Sequence, residues 1–149
     1  MVLAGDGNLF YWANFKKTPI NRMSKETRNP GVYFEIPVLN MDRAVRFYSA
    51  LFSFSFDQEE FDGIQMAYFP FKEKLSGITG ALAKGEIYQP MHQGILLYLH
   101  TEDLEETLRK AENTGAKVLY PATFHKDLGF AVAEIEDSEG NRIGLHQRL

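Results

Sequence analysis

The 149-residue sequence contains no cysteine. This absence excludes disulfides, cysteine-based zinc sites and thiol nucleophiles, and it is compatible with a reducing cytoplasm. No apolar run approaches the roughly 20 residues that a membrane-spanning helix needs, and the N-terminus lacks the pattern of a secretory signal. The net charge of −4, with scattered basic residues, gives no footprint for nucleic acid. We therefore expect a cytoplasmic protein that binds neither membranes nor nucleic acid.

The first 29 residues differ from the rest of the chain. They combine an aromatic cluster, FYWANF at 10–15, with polar and turn residues, and they follow no sustained period. We interpret 1–29 as an extension: either an arm whose aromatics dock on a surface or a neighbouring chain, or a flexible leader. Residues 30–149 are predicted to form one domain, since a chain of this length can bury a sizeable core.

From residue 32 onward, the hydrophobic pattern alternates between strand and helix. VYFEIPV (32–38) predicts a strand, and Asn40 can cap a helix that continues to Phe52 with apolar residues at helical spacing. Three strand-like runs follow, SFSFDQEE, IQMAYFPF and GITGALAKG. The second half has the same order: a strand (GILLYLH), a helix over 101–113, and three further strands.

The two halves also match in sequence. NMDRAVR at 40–46 corresponds to DLEETLR at 103–109, and TGAL at 79–82 corresponds to IGLH at 143–146. The separation is 63 residues for the helices and 64 for the strands, and such a nearly constant period indicates a duplicated unit. We therefore predict an α+β fold made of two βαβββ modules, at about 30–88 and 92–149.

Two stretches resemble the vicinal oxygen chelate superfamily, which includes glyoxalase I, extradiol dioxygenases and bleomycin-binding proteins. They are FEIPVLNMDRAVRFYSALFSFSF near the start and VAEIEDSEGNRIGLHQ at the end, similar to small bacterial glyoxalase-like proteins. The resemblance implies sheets curled around a central cavity with helices outside, a small-molecule ligand or substrate, and a homodimer. Since many functions share this scaffold, it does not imply one activity.

The resemblance also implies where metal ligands should lie. Metal-dependent relatives take His or Glu ligands from the first and last strands of each module. The aligned positions here are Tyr33, Gly80, Leu96 and Gly144, none of which is a good ligand. Side-chain alternation predicts that Gly80, Leu82 and Lys84 face the cavity, with Gly144 and His146 facing it from the last strand. The activities of metal-dependent relatives are therefore in doubt.

A displaced set of possible ligands remains: Glu35, His100 and His146. Two imidazoles and a carboxylate suit Zn, Ni, Mn or Fe, and we assign Glu35 and His146 to such a site, because His100 lies near the end of its strand. The alternative is that each is a polar side chain hydrogen-bonded at the cavity wall.

Glu35 is the candidate catalytic residue, because a carboxylate in mid-strand between apolar neighbours needs a partner. The partner could be a cation (Arg142, Lys84 or a metal) or a ligand, and Glu35 could abstract a proton next to a carbonyl. The cavity could also be lined for a flat or apolar molecule, although residues at this spacing often belong to a core. The candidate ligand-binding residues are Tyr33, Met66, Tyr98, His100 and His146, with Tyr68 and Leu96 as further lining.

Three classes of function remain open from sequence. The first is a lyase, isomerase or oxygenase that uses a divalent metal as Lewis acid. The second is a metal-free module, similar to bleomycin-binding relatives, that sequesters an aromatic or cationic small molecule. The acidic balance of the chain and inward tyrosines suit a cation. The third is a structural module whose cavity is filled.

Overall fold

Each half of the chain folds into one helix and one four-stranded sheet in the computed structural model, which describes residues 30–72 and 77–149. The first half comprises β1 (Tyr33–Pro37), α1 (Met41–Phe52), β2 (Asp57–Phe61), β3 (Ile64–Tyr68) and β4 (Thr79–Lys84). The second comprises β5 (Leu97–His100), α2 (Leu104–Asn113), β6 (Lys117–His125), β7 (Phe130–Glu136) and β8 (Arg142–Arg148), with a short 3₁₀ turn at Lys126–Leu128.

The two sheets have the same topology. Their strand orders are β1-β4-β3-β2 and β5-β8-β7-β6. The first and last strands of each half are parallel, and the other neighbouring pairs are antiparallel. The predicted α+β fold with two βαβββ modules is confirmed. The proposed N-terminal arm, 1–29, lies outside the described residues.

Both helices begin at a capping side chain, Asn40 for the first, as predicted, and Asp103 for the second, which starts at Leu104 instead of residue 101. The side chain of Asn40 accepts a hydrogen bond from the backbone N–H of Arg43 at 2.9 Å, and Asp103 accepts one from Glu106 at 3.0 Å. Each cap satisfies a backbone donor that the first helical turn leaves without a partner. No helix in the described ranges is long and apolar enough to cross a membrane.

One hydrophobic core lies between the helices and the sheets and joins both halves. Side chains from β1, β4, β5 and β8 alternate, so that Ile36, Leu82, Ile143 and Leu145 are buried in this core. Alternation along the strands predicts that Ile95, Ile143 and Leu145 pack on the helix side of their sheet. Ile143 and Leu145 are buried there, whereas Ile95 is 100% exposed because it precedes β5.

The strand register corrects the predicted faces of β4. Glu35 pairs with Ala81 in the first sheet, and the residues 63 positions later, Tyr98 and Gly144, pair with each other in the second. Leu82 therefore corresponds to Leu145 and points into the core, instead of corresponding to His146. The sequence match was displaced by one residue, which reverses every side chain of a strand. The prediction that Gly80, Leu82 and Lys84 face the cavity was wrong.

A buried polar cluster connects the two halves. Asp137, in the turn between β7 and β8, accepts hydrogen bonds from the Tyr48 hydroxyl of α1 at 2.6 Å and from the backbone N–H of Asn141 at 2.9 Å. Glu139 of the same turn accepts from the backbone N–H of Asn40 at 3.2 Å and pairs with the Arg43 guanidinium. We call this set the module clasp, because it ties the last turn of the second half to the helix of the first.

Candidate functional site

Each sheet has one face covered by the helices and one that is not, here called its open face. On the open face of the first sheet, Glu35 and Tyr68 lie on either side of Ala81 in adjacent strands. Met66 and Tyr68 are buried there with Ala81 and Ala83, and Ile64 and Tyr88 pack against them. This small apolar layer forms the base on which the polar groups of the face stand.

Glu35 has a partner that the sequence did not predict. Its carboxylate accepts a hydrogen bond of 2.6 Å from the hydroxyl of Tyr88, which lies in the loop after β4. The two predicted cations are engaged elsewhere or turned away. Arg142 pairs with Glu134, and Lys84 lies on the side of β4 opposite Ala83 and Ala81. Neither predicted pairing with Glu35 forms.

A second tyrosine–carboxylate pair lies on the same face. The hydroxyl of Tyr68, which is 7% exposed, donates to Glu59 at 2.7 Å. Glu59 pairs with Met66 across β2 and β3, so it projects from the edge of the same face. Within residues 30–72 and 77–149, no Lys, Arg or His forms an ion pair with Glu35 or Glu59. Tyrosine hydroxyls are therefore their described partners.

The ionisation of the tyrosines reflects this anionic setting. Burial and the hydrogen bond to Glu35 raise the pKa of Tyr88 to about 12. Burial, and then the charge of Glu35, raises the pKa of Tyr33 well above its usual value. Burial and the hydrogen bond to Glu59 do the same to the pKa of Tyr68. These phenols stay neutral donors at neutral pH, and each carboxylate disfavours a further negative charge nearby.

The second sheet carries a different arrangement on its open face. Glu134 is paired with the guanidinium of Arg142, at 2.6 and 2.7 Å, and accepts a longer hydrogen bond of 3.4 Å from the Tyr98 hydroxyl. Glu136 contacts Lys117 at 2.7 Å and His92 at 2.6 Å. The carboxylates of the second sheet therefore have cationic partners, unlike Glu35 and Glu59.

The predicted histidines lie on this second face. His146 stacks on Phe130, with ring centroids 5.7 Å apart, and Phe130 also contacts His125 at 4.8 Å. His100 pairs with His146 in the β5–β8 register and bonds Glu102 at 3.0 Å. Each predicted imidazole therefore already has a neighbour on its own sheet.

The residues present do not fit the metal ring of metal-dependent relatives. With the register corrected, the position equivalent to Gly144 in the first half is Ala81, which offers no ligand either. A side chain at 144 would also collide with Tyr98, whose Cδ1 lies 2.4 Å from where a Cβ would be. Glu35 lies on the first sheet and His146 on the second, and the described ranges hold no group of three or more possible ligands.

The structure divides the predicted site residues between the two sheets. It brings Tyr33, Glu35 and Met66 to the open face of the first, and Tyr98, His100 and His146 to that of the second. Sequence reasoning missed Tyr88 and Glu59. Tyr88 lies in a loop that shows no hydrophobic periodicity, so no pattern assigned it to a face. Its position just after Gly85, where β4 ends, is the one signal that the chain could turn back over the sheet there.

Two grooves lie away from the Glu35 carboxylate. The larger, of about 360 Å³, is at the end of the first sheet and is lined in part by Leu39, Glu60 and Lys84. The smaller, of about 240 Å³, includes Glu59 and Met66 at the edge of β2. Neither groove includes Glu35, and the smaller one borders Glu59 and Met66, so we place the candidate site on the open faces themselves.

Comparisons with known proteins agree with this architecture. Residues 32–145 match the sequence profile of the glyoxalase/bleomycin resistance protein/dioxygenase superfamily, and the chain therefore belongs to this superfamily. This is a scaffold of small-molecule binding proteins and enzymes. No curated protein matches the chain.

Solved structures with the same fold include both enzymes and binding proteins. A glyoxalase family protein from Bacillus cereus is 15% identical, with a TM-score of 0.59 over 86% of this chain and 98% of its own. An antibiotic-binding protein from Streptomyces is 20% identical, with a TM-score of 0.57 over 83% and 100%. Glyoxalase I from Zea mays is 13% identical, with a TM-score of 0.60 over 82% of this chain but only 47% of its own. At these identities the likeness shows the fold alone.

Proposed function

We propose that this protein binds a small organic cation on the open face of its first sheet, as a metal-free binding module. One observation carries the proposal: Glu35 and Glu59 are held by tyrosine hydroxyls, with no cationic side chain paired to either in the described ranges. A ligand ammonium or guanidinium group would supply the missing charge. The antibiotic-binding protein from Streptomyces, which shares the fold, is consistent with binding in place of catalysis.

The tyrosines would define the shape of the bound cation. Tyr33, Tyr68 and Tyr88 surround the carboxylates with aromatic rings, and a cation over such a face gains roughly 0.5–1 kcal/mol at an exposed site. Met66, Tyr68, Ala81 and Ala83 form a buried apolar layer next to the carboxylates, against which an apolar body can pack. An amine attached to an apolar or aromatic group therefore fits the face better than a small inorganic ion.

Isothermal titration calorimetry with two nearly isosteric probes tests this proposal. The cation phenethylamine should bind more tightly than neutral 2-phenylethanol, and Glu35→Gln should reduce this preference by roughly fivefold, as expected for one solvent-exposed ion pair of up to about 1 kcal/mol. Glu136→Gln is the matched control, because Glu136 already has a cationic partner in Lys117. Equal affinity for the two probes would refute the proposal.

An enzymatic function is the second candidate, and the neighbourhood of Glu35 favours it. A carboxylate base beside two phenol donors, Tyr33 and Tyr88, could abstract a proton next to a carbonyl and stabilise the resulting oxyanion. Deuterium incorporation from D₂O into dihydroxyacetone, followed by NMR, tests this role; Glu35→Gln should abolish any incorporation.

Elemental analysis tests the predicted site for Zn, Ni, Mn or Fe. The site requires that the purified wild-type protein contains a metal and that both Glu35→Ala and His146→Ala lose it.

We also propose that the protein forms a homodimer. The first open face carries the carboxylates of Glu35 and Glu59, and the second carries Arg148 on β8, beside the Arg142–Glu134 pair, so that Arg148 of one copy offers an opposite charge to the carboxylates of the other. Tyr33 and Tyr98 remain partly exposed on these faces. Sedimentation equilibrium should give twice the mass of the chain, and a monomer at all concentrations would contradict this proposal.

We expect the protein to act in the cytoplasm.

A further inference from the structure

The ring of Tyr98 occupies a place that a side chain at Gly144 would otherwise fill. A Cβ built on Gly144 would lie 2.4 Å from Cδ1, 2.6 Å from Cε1 and 2.7 Å from Cγ of Tyr98, all far inside van der Waals contact. One edge of the phenol therefore rests directly on the backbone of β8. The backbone of Gly144 is outside the left-handed region, so its conformation does not require a glycine. The glycine is needed here because a side chain would occupy the space of the Tyr98 ring.

The hydroxyl end of this ring has a more distant partner. The Tyr98 hydroxyl makes a long hydrogen bond of 3.4 Å to Glu134, which is itself held by the guanidinium of Arg142. Tyr98 nevertheless remains 46% exposed. A large aromatic ring that rests on the backbone along one edge and is still open to solvent is suited to stack against a flat partner.

A second aromatic group lies further along the same face. His146 on β8 stacks on Phe130 of β7 with ring centroids 5.7 Å apart, and Phe130 contacts His125 of β6 at 4.8 Å. Tyr98 lies on β5 at the level of Gly144, two residues along β8 from His146. The second open face is therefore suited to a planar ring system, whereas the first is suited to a charged group.

We infer that Tyr98, resting on Gly144, is the stacking surface of a subsite for planar aromatic ligands, and that Gly144 is the residue that determines whether the subsite exists. This subsite is separate from the cation site of the proposed function, because it lies on the other sheet and uses no free carboxylate.

Phenazine, a planar and uncharged ring system, is a suitable probe for calorimetric and absorbance titrations. Wild-type protein and Tyr98→Phe should bind it with affinities within about threefold of each other, because both keep the ring. Tyr98→Ala and Gly144→Ala should each weaken binding by roughly fivefold or more, the loss expected for one aromatic stacking contact. Phenazine that does not bind, or that binds equally to wild type and Tyr98→Ala, overturns the inference.

A double variant separates loss of the subsite from misfolding. If the methyl group added by Gly144→Ala acts only by displacing Tyr98, then this substitution should lower the melting temperature in the wild-type background but not in Tyr98→Ala. An equal loss in both backgrounds contradicts the assigned contact. The cation site provides an independent reference, because phenethylamine binding should persist in Gly144→Ala. If the wild type binds phenazine but not phenethylamine, the proposed function is wrong and this subsite is not.

Discussion

The module clasp allows a worked prediction about what joins the two halves. Asp137 is buried, and its carboxylate accepts four hydrogen bonds: from the Tyr48 hydroxyl at 2.6 Å, from the backbone N–H groups of Glu139 and Asn141 at 2.9 Å each, and from the Asn141 amide at 3.0 Å. Substitution Asp137→Asn keeps the volume but replaces one acceptor oxygen with an NH₂ donor. That donor would then face the Asn141 amide, which also donates.

The expected cost follows from these contacts. Hydrogen bonds to a charged group contribute about 1.5–3 kcal/mol each, and a buried donor without a partner costs about 1–3 kcal/mol. Asp137→Asn should therefore lower the free energy of unfolding by about 2–4 kcal/mol. Tyr48→Phe removes a single donor and leaves the carboxylate its other partners, so we expect about 1–2 kcal/mol.

Urea denaturation followed by circular dichroism measures both changes, and a double-mutant cycle tests their origin. Tyr48 and Asp137 should be coupled by at least about 0.5 kcal/mol, because the substitutions remove the same contact. Lys117→Gln is a suitable control, since its exposed pair with Glu136 should contribute less than about 1 kcal/mol. Additive effects of the two clasp substitutions, or an Asp137→Asn protein as stable as the wild type, would refute this account of the clasp.

Two further predictions concern the first sheet. The pKa of Tyr88 is raised from an ordinary 10 to about 12, so its stabilising contribution is complete below pH 10 and is lost as the pH rises through 12. The free energy of unfolding should therefore fall less between pH 10 and 12 in Tyr88→Phe than in the wild type. Tyrosinate absorbance at 295 nm should show phenols that ionise above pH 10. Gly80→Ala should cost about 1–3 kcal/mol or more in thermal unfolding, because a Cβ would lie 2.5 Å from both the ring and the carbonyl oxygen of Phe34. Gly85→Ala, whose nearest contacts are 3.3 Å, is the control and should cost clearly less; the reverse order would show that the packing argument is wrong.

Local patterns predicted the architecture well because they have short-range causes. Asn40 caps the first helix as expected, since a cap is a contact between residues three positions apart. The duplication predicted from sequence is also present, because both sheets have the same strand order. The sequence alignment of the two halves was wrong at β4, because TGAL and IGLH can be matched one residue out of register. This error reversed the predicted faces of Leu82 and Lys84.

The site was less predictable because its partners are distant in sequence. Alternation placed Tyr33 and Glu35 on the open face, but the partner of Glu35, Tyr88, is 53 residues away in a loop. Pairing of Arg142 with Glu134 depends on the β7–β8 register, so sequence could not show that this cation was unavailable to Glu35. The contact between Gly144 and the Tyr98 ring could not be predicted, because a glycine contributes no side chain to a hydrophobic pattern.

The most direct test of the central claim is ¹³C NMR of the protein labelled at its glutamate carboxyl carbons, titrated with phenethylamine at neutral pH. The account predicts that the resonances of Glu35 and Glu59 shift with saturation, while that of Glu136, already paired with Lys117, stays in place. If no carboxyl resonance shifts, or if Glu136 shifts as much as Glu35, the first sheet does not provide a cation site and the proposed function is wrong.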